Sequence, residues 1–426
     1  MGDLVEQLDW RGFIAQLSDP TLREHFLADS RSLYVGFDPT ADSLHVGHMV
    51  PVMALAHAQK CGHRPVVLVG GGTGLIGDPS GKTAERQLLS KEEVARNCEG
   101  IRAQLSRFMD FSGSWGAILV NNADWLLPLG LLDFLRDIGK HFSVNTMIAR
   151  EAVRRRLEDR EQGISFTEFS YALLQSYDFL HLFQHYGCTV QAGGNDQWGN
   201  IVAGIDLIRR VCAGQAFGLT FPLLLTATGD KFGKTEAGAV WLDSKRTSPY
   251  QMYQFWFNTA DADAGRFLRL FTFLERDHID ELAASHAADP GKRSAQTALA
   301  TEFTRLVHGD SVVRTVQRAT SILFGGQDDD IDDATLNLLS AEIPHSSVPI
   351  AGSVIDLALL DLLVETGLAE SKGAGRRLVE AGGVYVNNRR RADPSARIRQ
   401  PDLLCGRAVL LRSGKKTYHL VEIDGI

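Results

Sequence analysis

Apolar runs that stop at glycines alternate along this chain with longer segments of helical apolar spacing. Residues 3–17 (DLVEQLDWRGFIAQL) set Leu4, Leu8 and the cluster Phe13, Ile14, Leu17 at helical intervals, which predicts one amphipathic helix. Asp19-Pro20 reads as a cap followed by a proline in the first turn of a second helix. SLYVGFDPT (32–40) predicts a strand broken at Asp38-Pro39, followed by a helix from 45 to about 61. PVVLVGGG (65–72) is β-branched and ends on glycines, the pattern of a buried strand. Residues 85–109 have helical spacing, and AILVNNADWL (117–126) reads as a strand and its exit loop. Strand and helix in alternation predict an α/β fold with a Rossmann-like doubly wound parallel sheet. Its binding crevice should lie at the carboxyl ends of the strands, where Gly36–Asp38, Gly70–Asp78 and Asn121–Asp124 fall.

Further on, 130–190 is mostly helical, 189–210 returns to strand, glycine turn and helix, and 222–235 reads as a strand with a polar loop. Residues 248–324 predict several helices without strands. The expected organisation is a first domain over 1–225, with a helical insertion near 125–185, then an α-helical domain over 226–324. The Gly-, Asp- and Ser-rich stretch 325–352 is expected as a linker, and 353–426 as a small α+β domain.

Composition adds limits. With 426 residues, 44% of them hydrophobic and 23% charged, the chain can build several ordinary cores. The N-terminus MGDLVEQLDW lacks the basic patch and apolar run of a secretory signal, and no apolar stretch approaches a membrane span. The five cysteines are scattered without a CxxC pair, which disfavours a disulfide framework or zinc site and points to a reducing, cytoplasmic setting. The net charge of −8 is unevenly placed. Lys372 to Lys416 holds 12 Lys/Arg against 3 Asp/Glu, a net of +9, so the remainder carries −17. A basic tail on an acidic body points to a polyanionic partner, against the plainer reading of a solvated basic face.

Several segments could carry chemistry. Gly72-Thr-Gly74-Leu-Ile-Gly77 follows a strand and matches GxGxxG, but Asp78-Pro79 comes at once, so no long helix can open there. Gly81-Lys82-Thr83 nearly completes a P-loop, yet residue 76, where the leading glycine belongs, is Ile. What both matches leave is an expectation that bare backbone N–H groups and Lys82 surround phosphate. In PTADSLHVGH (39–48), His45 and His48 flank Gly47 at a helix start; no third metal ligand is evident, and a nucleotide packed on the glycine accounts for more of the residues. KFGKT (231–235) sets two lysines around a glycine, a loop able to close on a triphosphate or simply an exposed basic turn. Within TEFSYALLQSYDFLHLF (167–183), Tyr171, Gln175 and Asp178 fall at i, i+4 and i+7 on one helix face. That stripe spans about 10 Å, enough to meet a small polar molecule at both ends; otherwise it is an ordinary solvated face. QAGGNDQWGN (191–200) adds Gln191, Asp196 and Gln197 around glycines at a strand end.

Taken together, these segments resemble the bacterial type of tyrosyl-tRNA synthetase along essentially the whole chain. PTADSLHVGH is similar to the family's "HIGH" signature, KFGKT to its "KMSKS" loop, and LYVGFDPTADSLH, GDPSGKTAERQLL, ISFTEFSYALLQSYDFL and GGNDQWGNI match further segments in order. The resemblance implies that Tyr34 and Asp178 bond a substrate phenol, with Asp78, Tyr171 and Gln175 around its ammonium and Gln191 in the same pocket. It implies Gly36, Asp38, Gly47, His48, Gly194, Asp196 and Gln197 in the ATP site. Thr40, His45, Lys82, Arg86, Lys231, Lys234 and Thr235 are implied at the phosphates, with His48 beside them in the catalytic set. Val35 and Pro51 stand where some members carry polar groups. A homodimer is implied, with the 125–185 insertion at its interface.

The segment SKGAGRRLVEAGGVYVNNRRRADPSARI (371–398) is similar to a small RNA-binding domain of a ribosomal protein, which implies Arg376, Arg377, Arg389, Arg390 and Arg391 on RNA phosphates. The family reading makes tRNA(Tyr), L-tyrosine and ATP the partners, with Mg²⁺ accompanying ATP and no membrane. An already ionised carboxylate needs no general base to attack an α-phosphate, so donors and cations should serve in place of a nucleophilic triad. Competing readings are a synthetase for tryptophan, a dinucleotide-dependent oxidoreductase built on Gly72–Gly77, and a non-catalytic RNA-binding protein.

Overall fold

The structure, a computed structural model, describes residues 2–78, 89–158, 163–227, 229, 232–235, 238–328, 330–349 and 355–424. Two compact units divide the chain: Met1–Thr247 with Phe255–Leu306, and Ser248–Gln254 with Val307–Ile426.

In the first unit a six-stranded sheet forms from β1 (Gln16–Leu17), β2 (Ser32–Phe37), β3 (Arg64–Val69), β4 (Ile118–Asn121), β5 (Cys188–Gly194) and β6 (Phe217–Phe221), in the order β1-β6-β5-β2-β3-β4. All neighbours pair in parallel except β1, which runs antiparallel to β6. Val66 to Val69 are buried without alternation, as a parallel strand covered on both faces requires. Strand order reverses between β2 and β5, so a crevice opens at their carboxyl ends.

Helices α1 (Leu4–Arg11), α2 (Leu22–Ala28), α3 (Met49–Lys60), α4 (Lys91–Leu105), α5 (Phe166–Tyr186) and α6 (Trp198–Cys212) belong to this unit. Local chemistry sets their ends. At the start of α4, Ser90 Oγ accepts from Glu93 N (3.2 Å) while Glu93 Oε2 accepts from Ser90 N (2.8 Å), a capping box. Ser165 and Glu168 repeat the device on α5, which stops at Gly187 with φ 61°.

Two elements differ from the sequence reading. α1 ends at Arg11, because Gly12 (φ 87°) turns the chain left-handed; Gln16–Leu17 then pair with β6. The last parallel strand is Phe217–Phe221 and not the segment from 222. Pro222 has no N–H to continue the ladder, and Leu223 is 65% exposed. Beyond it, β7 (Lys234–Thr235) and β8 (Gly238–Ala239) form a small hairpin.

The second unit centres on β9 (His345–Pro349), β11 (Val384–Val386), β12 (Arg389–Arg391), β14 (Ala408–Ser413) and β15 (Thr417–Asp424), ordered β12-β11-β14-β15-β9. A separate pair joins β10 (Asp356–Ala358) to β13 (Arg397–Arg399). Successive residues of β14 serve two cores. Ala408 and Leu410 pack with Ala319, Ile322, Leu336 and Leu339, whereas Val409 and Leu411 pack with Leu359, Leu363 and Val379. The helix Asp310–Leu323 therefore belongs with the C-terminal sheet rather than with the helices before it.

The stretch 325–352, expected as a linker, carries the helix Asp333–Glu342 and β9; residues 329 and 350–352 lie outside the described residues. Its acidic residues have structural uses that composition alone does not reveal. Asp332 Oδ1 caps the helix by accepting from Thr335 N (2.8 Å), and Asp328 pairs with Arg318 (2.9 Å). Among the described residues no helix is long and apolar enough to cross a membrane.

Candidate active site

A cavity of about 300 Å³ opens at the switch point between β2 and β5, within the range of small-molecule sites. Tyr34, Val35, Gly36, Asp38 and Thr40 reach it from β2 and its exit; Gln191, Gly194, Asp196 and Gln197 come from β5 and the turn after it. Tyr171, Gln175 and Asp178 enter from one face of α5, and Asp78, His48 and Pro51 complete this part of the wall. The helical spacing that suggested the stripe thus places all three side chains on the cavity.

Its innermost polar groups are held unusually dry. Asp178 is 2% exposed, its Oδ1 accepting from Trp125 Nε1 (2.7 Å) and its Oδ2 from Asn122 Nδ2 (2.9 Å). Burial pushes its carboxyl up to about 7, against the pull of both hydrogen bonds, and the charge of Asp38 adds to the rise. Beside it Tyr34 is 1% exposed, and its hydroxyl has no partner among the described residues. Burial, then the charge of Asp178, raises the Tyr34 phenol well above its ordinary range. Gln191 is equally buried, with Oε1 also unpartnered among the described residues. Native proteins rarely leave such atoms unsatisfied unless a ligand or water meets them.

A second group of polar side chains is already connected. The Tyr171 hydroxyl donates to Asp38 Oδ2 (3.2 Å), and Thr73 Oγ1 donates to Asp38 Oδ1 (3.1 Å). Gln197 Nε2 donates to Asp78 Oδ2 (2.6 Å) and to Asp196 Oδ2 (3.3 Å). Asn200 Nδ2 donates to both Gln175 Oε1 (3.1 Å) and Gln197 Oε1 (3.2 Å). Four carboxylates (Asp38, Asp78, Asp178, Asp196) line the cavity with no Lys or Arg among the described lining residues. The arrangement suits a molecule with a cationic group midway and a hydroxyl at the innermost end.

The two signature segments meet beside this cavity. His45 Nδ1 accepts from Gly47 N (3.0 Å), and His48 Nδ1 accepts from His45 N (3.2 Å). Both rings therefore carry their hydrogen on Nε2. They stack with centroids 3.9 Å apart; burial, then His45, lowers His48 to about 3, so it works as a neutral donor. The segment after KFGKT pairs back on this turn: Val46 N donates to Val240 O (2.9 Å), Leu242 N to Leu44 O (2.8 Å), and His45 bridges Trp241. Phe232 is 6% exposed and packs among Phe255, Trp256, Phe267 and Phe271, so it anchors the loop.

Other expectations fare differently. Lys82, Arg86 and Lys231 lie outside the described residues. Lys234 and Thr235 form β7. His45 and Gly47 sit beside the cavity and not in its described lining. The Gly70–Gly77 turn is no open phosphate cradle. Gly71 N and Gly72 N donate to Asn121 Oδ1 (3.1 Å) and Asn122 Oδ1 (2.7 Å), while Ile76 N and Gly77 N donate to Thr73 O. Sequence reasoning gave no role to Thr73, Asn122, Trp125 and Asn200, although the first two fall in stretches it placed at the crevice; all four hold lining side chains in place. Thr73 follows β3, Asn122 and Trp125 follow β4, and Asn200 follows β5, all beyond strand ends.

In the second unit Arg376 and Arg377 are exposed on the helix Lys372–Glu380, and Arg389 and Arg390 are exposed on β12. Arg391 is instead tied to Asp402 (2.7 Å). Asn387 and Asn388 make the left-handed hairpin turn (φ 49° and 59°) that presents the strand.

The parallel sheet, its switch-point cavity and the docked HVGH and KFGKT segments define a class I tRNA synthetase, and residues 28–325 match the family described as tRNA synthetases class I (W and Y). Residues 340–421 match the Tyrosine--tRNA ligase SYY-like C-terminal domain. The chain is 51% identical to a tyrosine--tRNA ligase of Roseiflexus castenholzii, over 99% of this chain and 100% of that one. It is likewise 51% identical to one of Anaeromyxobacter dehalogenans, with the same coverage. A crystal structure of a C-terminally truncated Aspergillus nidulans mitochondrial tyrosyl-tRNA synthetase is similar at a TM-score of 0.70 and 33% identity, covering 76% of this chain and 95% of that one. The chain belongs to the tyrosyl-tRNA synthetase family. Membership implies the use of ATP.

Proposed function

We propose that this protein activates tyrosine with ATP, giving tyrosyl-adenylate and pyrophosphate, and transfers the tyrosyl group to the 3′ end of tRNA(Tyr). The observation that carries the choice of amino acid is the buried pair at the innermost end of the cavity: a Tyr34 hydroxyl without a partner among the described residues, beside an Asp178 carboxylate fixed by Trp125 and Asn122. A phenol donates to Asp178 and accepts from Tyr34. Phenylalanine would leave both groups unmet, which is costly in a buried site. Asp78, Gln175 and Tyr171 receive the ammonium, whose charge suits the acidic wall.

The tyrosine carboxylate, ionised at neutral pH, attacks the α-phosphorus of ATP and pyrophosphate leaves. Gly36, Asp38, Gly47, Gly194, Asp196 and Gln197 take the adenosine. The Nε2 hydrogens of His45 and His48, with Thr40, Lys82, Arg86, Lys231, Lys234 and Thr235, stabilise charge on the phosphates. The described residues hold no cluster of three or more metal-ligating side chains, so Mg²⁺ would come with the triphosphate and offset its charge there. In the second step a terminal ribose hydroxyl of tRNA attacks the aminoacyl carbonyl and AMP leaves.

Arg376, Arg377, Arg389 and Arg390 meet tRNA phosphates. A second copy of the chain covers the insertion, where Leu131 and Leu132 are 70% and 80% exposed. The scattered cysteines and the tRNA substrate support a cytoplasmic setting. ATP–pyrophosphate exchange measured with each amino acid tests the reading. Tyrosine alone should support exchange, and exchange driven by tryptophan in its place would overturn it.

A further inference from the structure

Helix α4 carries a stripe that none of the chemistry above uses. Asn97, Gly100 and Gln104 follow one another at helical intervals and all face the 39–44 loop, which brings Thr40 to the cavity and leads into His45. Asn97 Nδ2 donates to Pro39 O (2.9 Å). Gly100 lies so close that a Cβ there would overlap the Asp42 carbonyl oxygen. Gln104 is the most committed of the three. It is 9% exposed, its Oε1 accepts from Leu44 N (2.8 Å), and its Nε2 donates to Ser43 Oγ (2.9 Å).

Ser43 extends the link. Its buried hydroxyl donates to Leu44 O (2.8 Å) and accepts from Asp243 N (3.3 Å), in the segment that follows KFGKT. Leu44 O accepts from Leu242 N as well. One carboxamide on a helix outside the cavity wall thus fixes the approach to HVGH and, through Ser43, the exit from KFGKT.

We infer that Gln104 is a positioning residue for adenylate formation, setting the 39–44 loop and its join to the Leu242–Asp243 segment without touching substrate. The inference rests on the activation reaction proposed above. Geometry is the lever: a displacement near 1 Å in a reacting site can cost about 100-fold in rate.

Single-turnover adenylate formation and tyrosine binding in the full-length protein provide the test. Gln104→Met keeps the shape and loses both hydrogen bonds; its rate per tyrosine-binding site should fall roughly 10- to 100-fold while tyrosine affinity stays unchanged. Gln104→Glu can still accept from Leu44 N and from a rotated Ser43 hydroxyl, so it should retain most of the rate. A merely structural role would lower the number of binding sites and leave the rate per site intact. Wild-type rate per site in Gln104→Met, or an equal loss in Gln104→Glu, overturns the inference. Should Gln104→Met not fold, Ser43→Ala cuts the same link, and a full rate there overturns it equally. Failure of the wild-type protein to exchange pyrophosphate with tyrosine would instead bring down the underlying reading.

Discussion

Gly233 rests against Gly47: a Cβ placed on Gly233 would lie 3.1 Å from the backbone nitrogen of Gly47. The two signature segments, nearly two hundred residues apart, therefore meet through their glycines. Gly233 also has φ 84°, a conformation open to glycine at little strain, and a Cβ on Gly47 would come 2.8 Å from His45 Cε1. Gly47→Ala should push the His45 ring aside, and Gly233→Ala should separate the segments. Each is expected to slow adenylate formation by about 10- to 100-fold and leave tyrosine affinity unchanged. Pre-steady-state rates and equilibrium dialysis give the two quantities; wild-type rates in both variants would contradict the role of this close approach.

Asp178 should govern the choice of amino acid. Asp178→Ala removes the phenol's acceptor and strands the Trp125 and Asn122 donors, whose loss of a buried partner costs about 1–3 kcal/mol each. Tyrosine-dependent exchange should drop steeply, and its advantage over phenylalanine should narrow by at least about tenfold, since 1.4 kcal/mol is one decade. An unchanged ratio of the two exchange rates would refute the assignment.

The raised Asp178 carboxyl predicts a pH effect whose sign is fixed. With the group near 7 in the empty site, it is ionised above that pH and protonated below it. The ionised form is the stronger acceptor for the phenol hydrogen, and it alone keeps both oxygens as acceptors for Trp125 and Asn122. Tyrosine affinity should therefore fall by up to about tenfold from pH 8 to pH 6, and tyrosine binding should expel up to about half a proton at pH 7. Calorimetry in buffers of different ionisation enthalpy measures both. A flat affinity between those pH values would show that Asp178 does not titrate in this range. His48, held near 3, contributes nothing to such a profile.

Much of this site was legible in the sequence because it is periodic or contiguous. Tyr171, Gln175 and Asp178 obey the helical repeat, and His45, Gly47 and His48 sit in one turn. Side chains that grip them across the fold have no such signature. Asn122 and Trp125 reach Asp178 over more than fifty residues of chain, and Gln104 reaches Leu44 over sixty. The parallel sheet followed from its apolar runs. Strand β6 did not, because FGLTF is short and contains glycine, whereas the more apolar PLLL beside it begins with proline. The acidic stretch near 330 looked like solvent-loving linker; only the position of Arg318 shows that its carboxylates are ion-pair partners.

Arg376 and Arg377 should matter to tRNA and not to tyrosine. Replacing both by alanine is expected to weaken tRNA binding and lower the slope of log affinity against log salt by about one for each phosphate no longer neutralised. Pyrophosphate exchange should remain at the wild-type rate. Filter binding across a salt series reads the slope, and an unaltered slope would remove these side chains from the RNA interface.

Leu131 and Leu132 should report on association. Glutamate at both positions places charge on the exposed apolar surface of the insertion. Sedimentation velocity should show the wild type as a dimer and the double variant as a monomer. A dimeric double variant would relocate the interface.

Strand β14 carries a consequence for how this protein can vary. Because Ala408 and Leu410 face one layer while Val409 and Leu411 face the other, an insertion or deletion of one residue inside the strand would exchange the two layers at a stroke. A change of length leaves the two layers in place only at the tip of the strand, in the turn between Ser413 and Thr417, because the Asn387-Asn388 turn is tied by its side chains to Ile322, Gly326, Asp402 and Leu410.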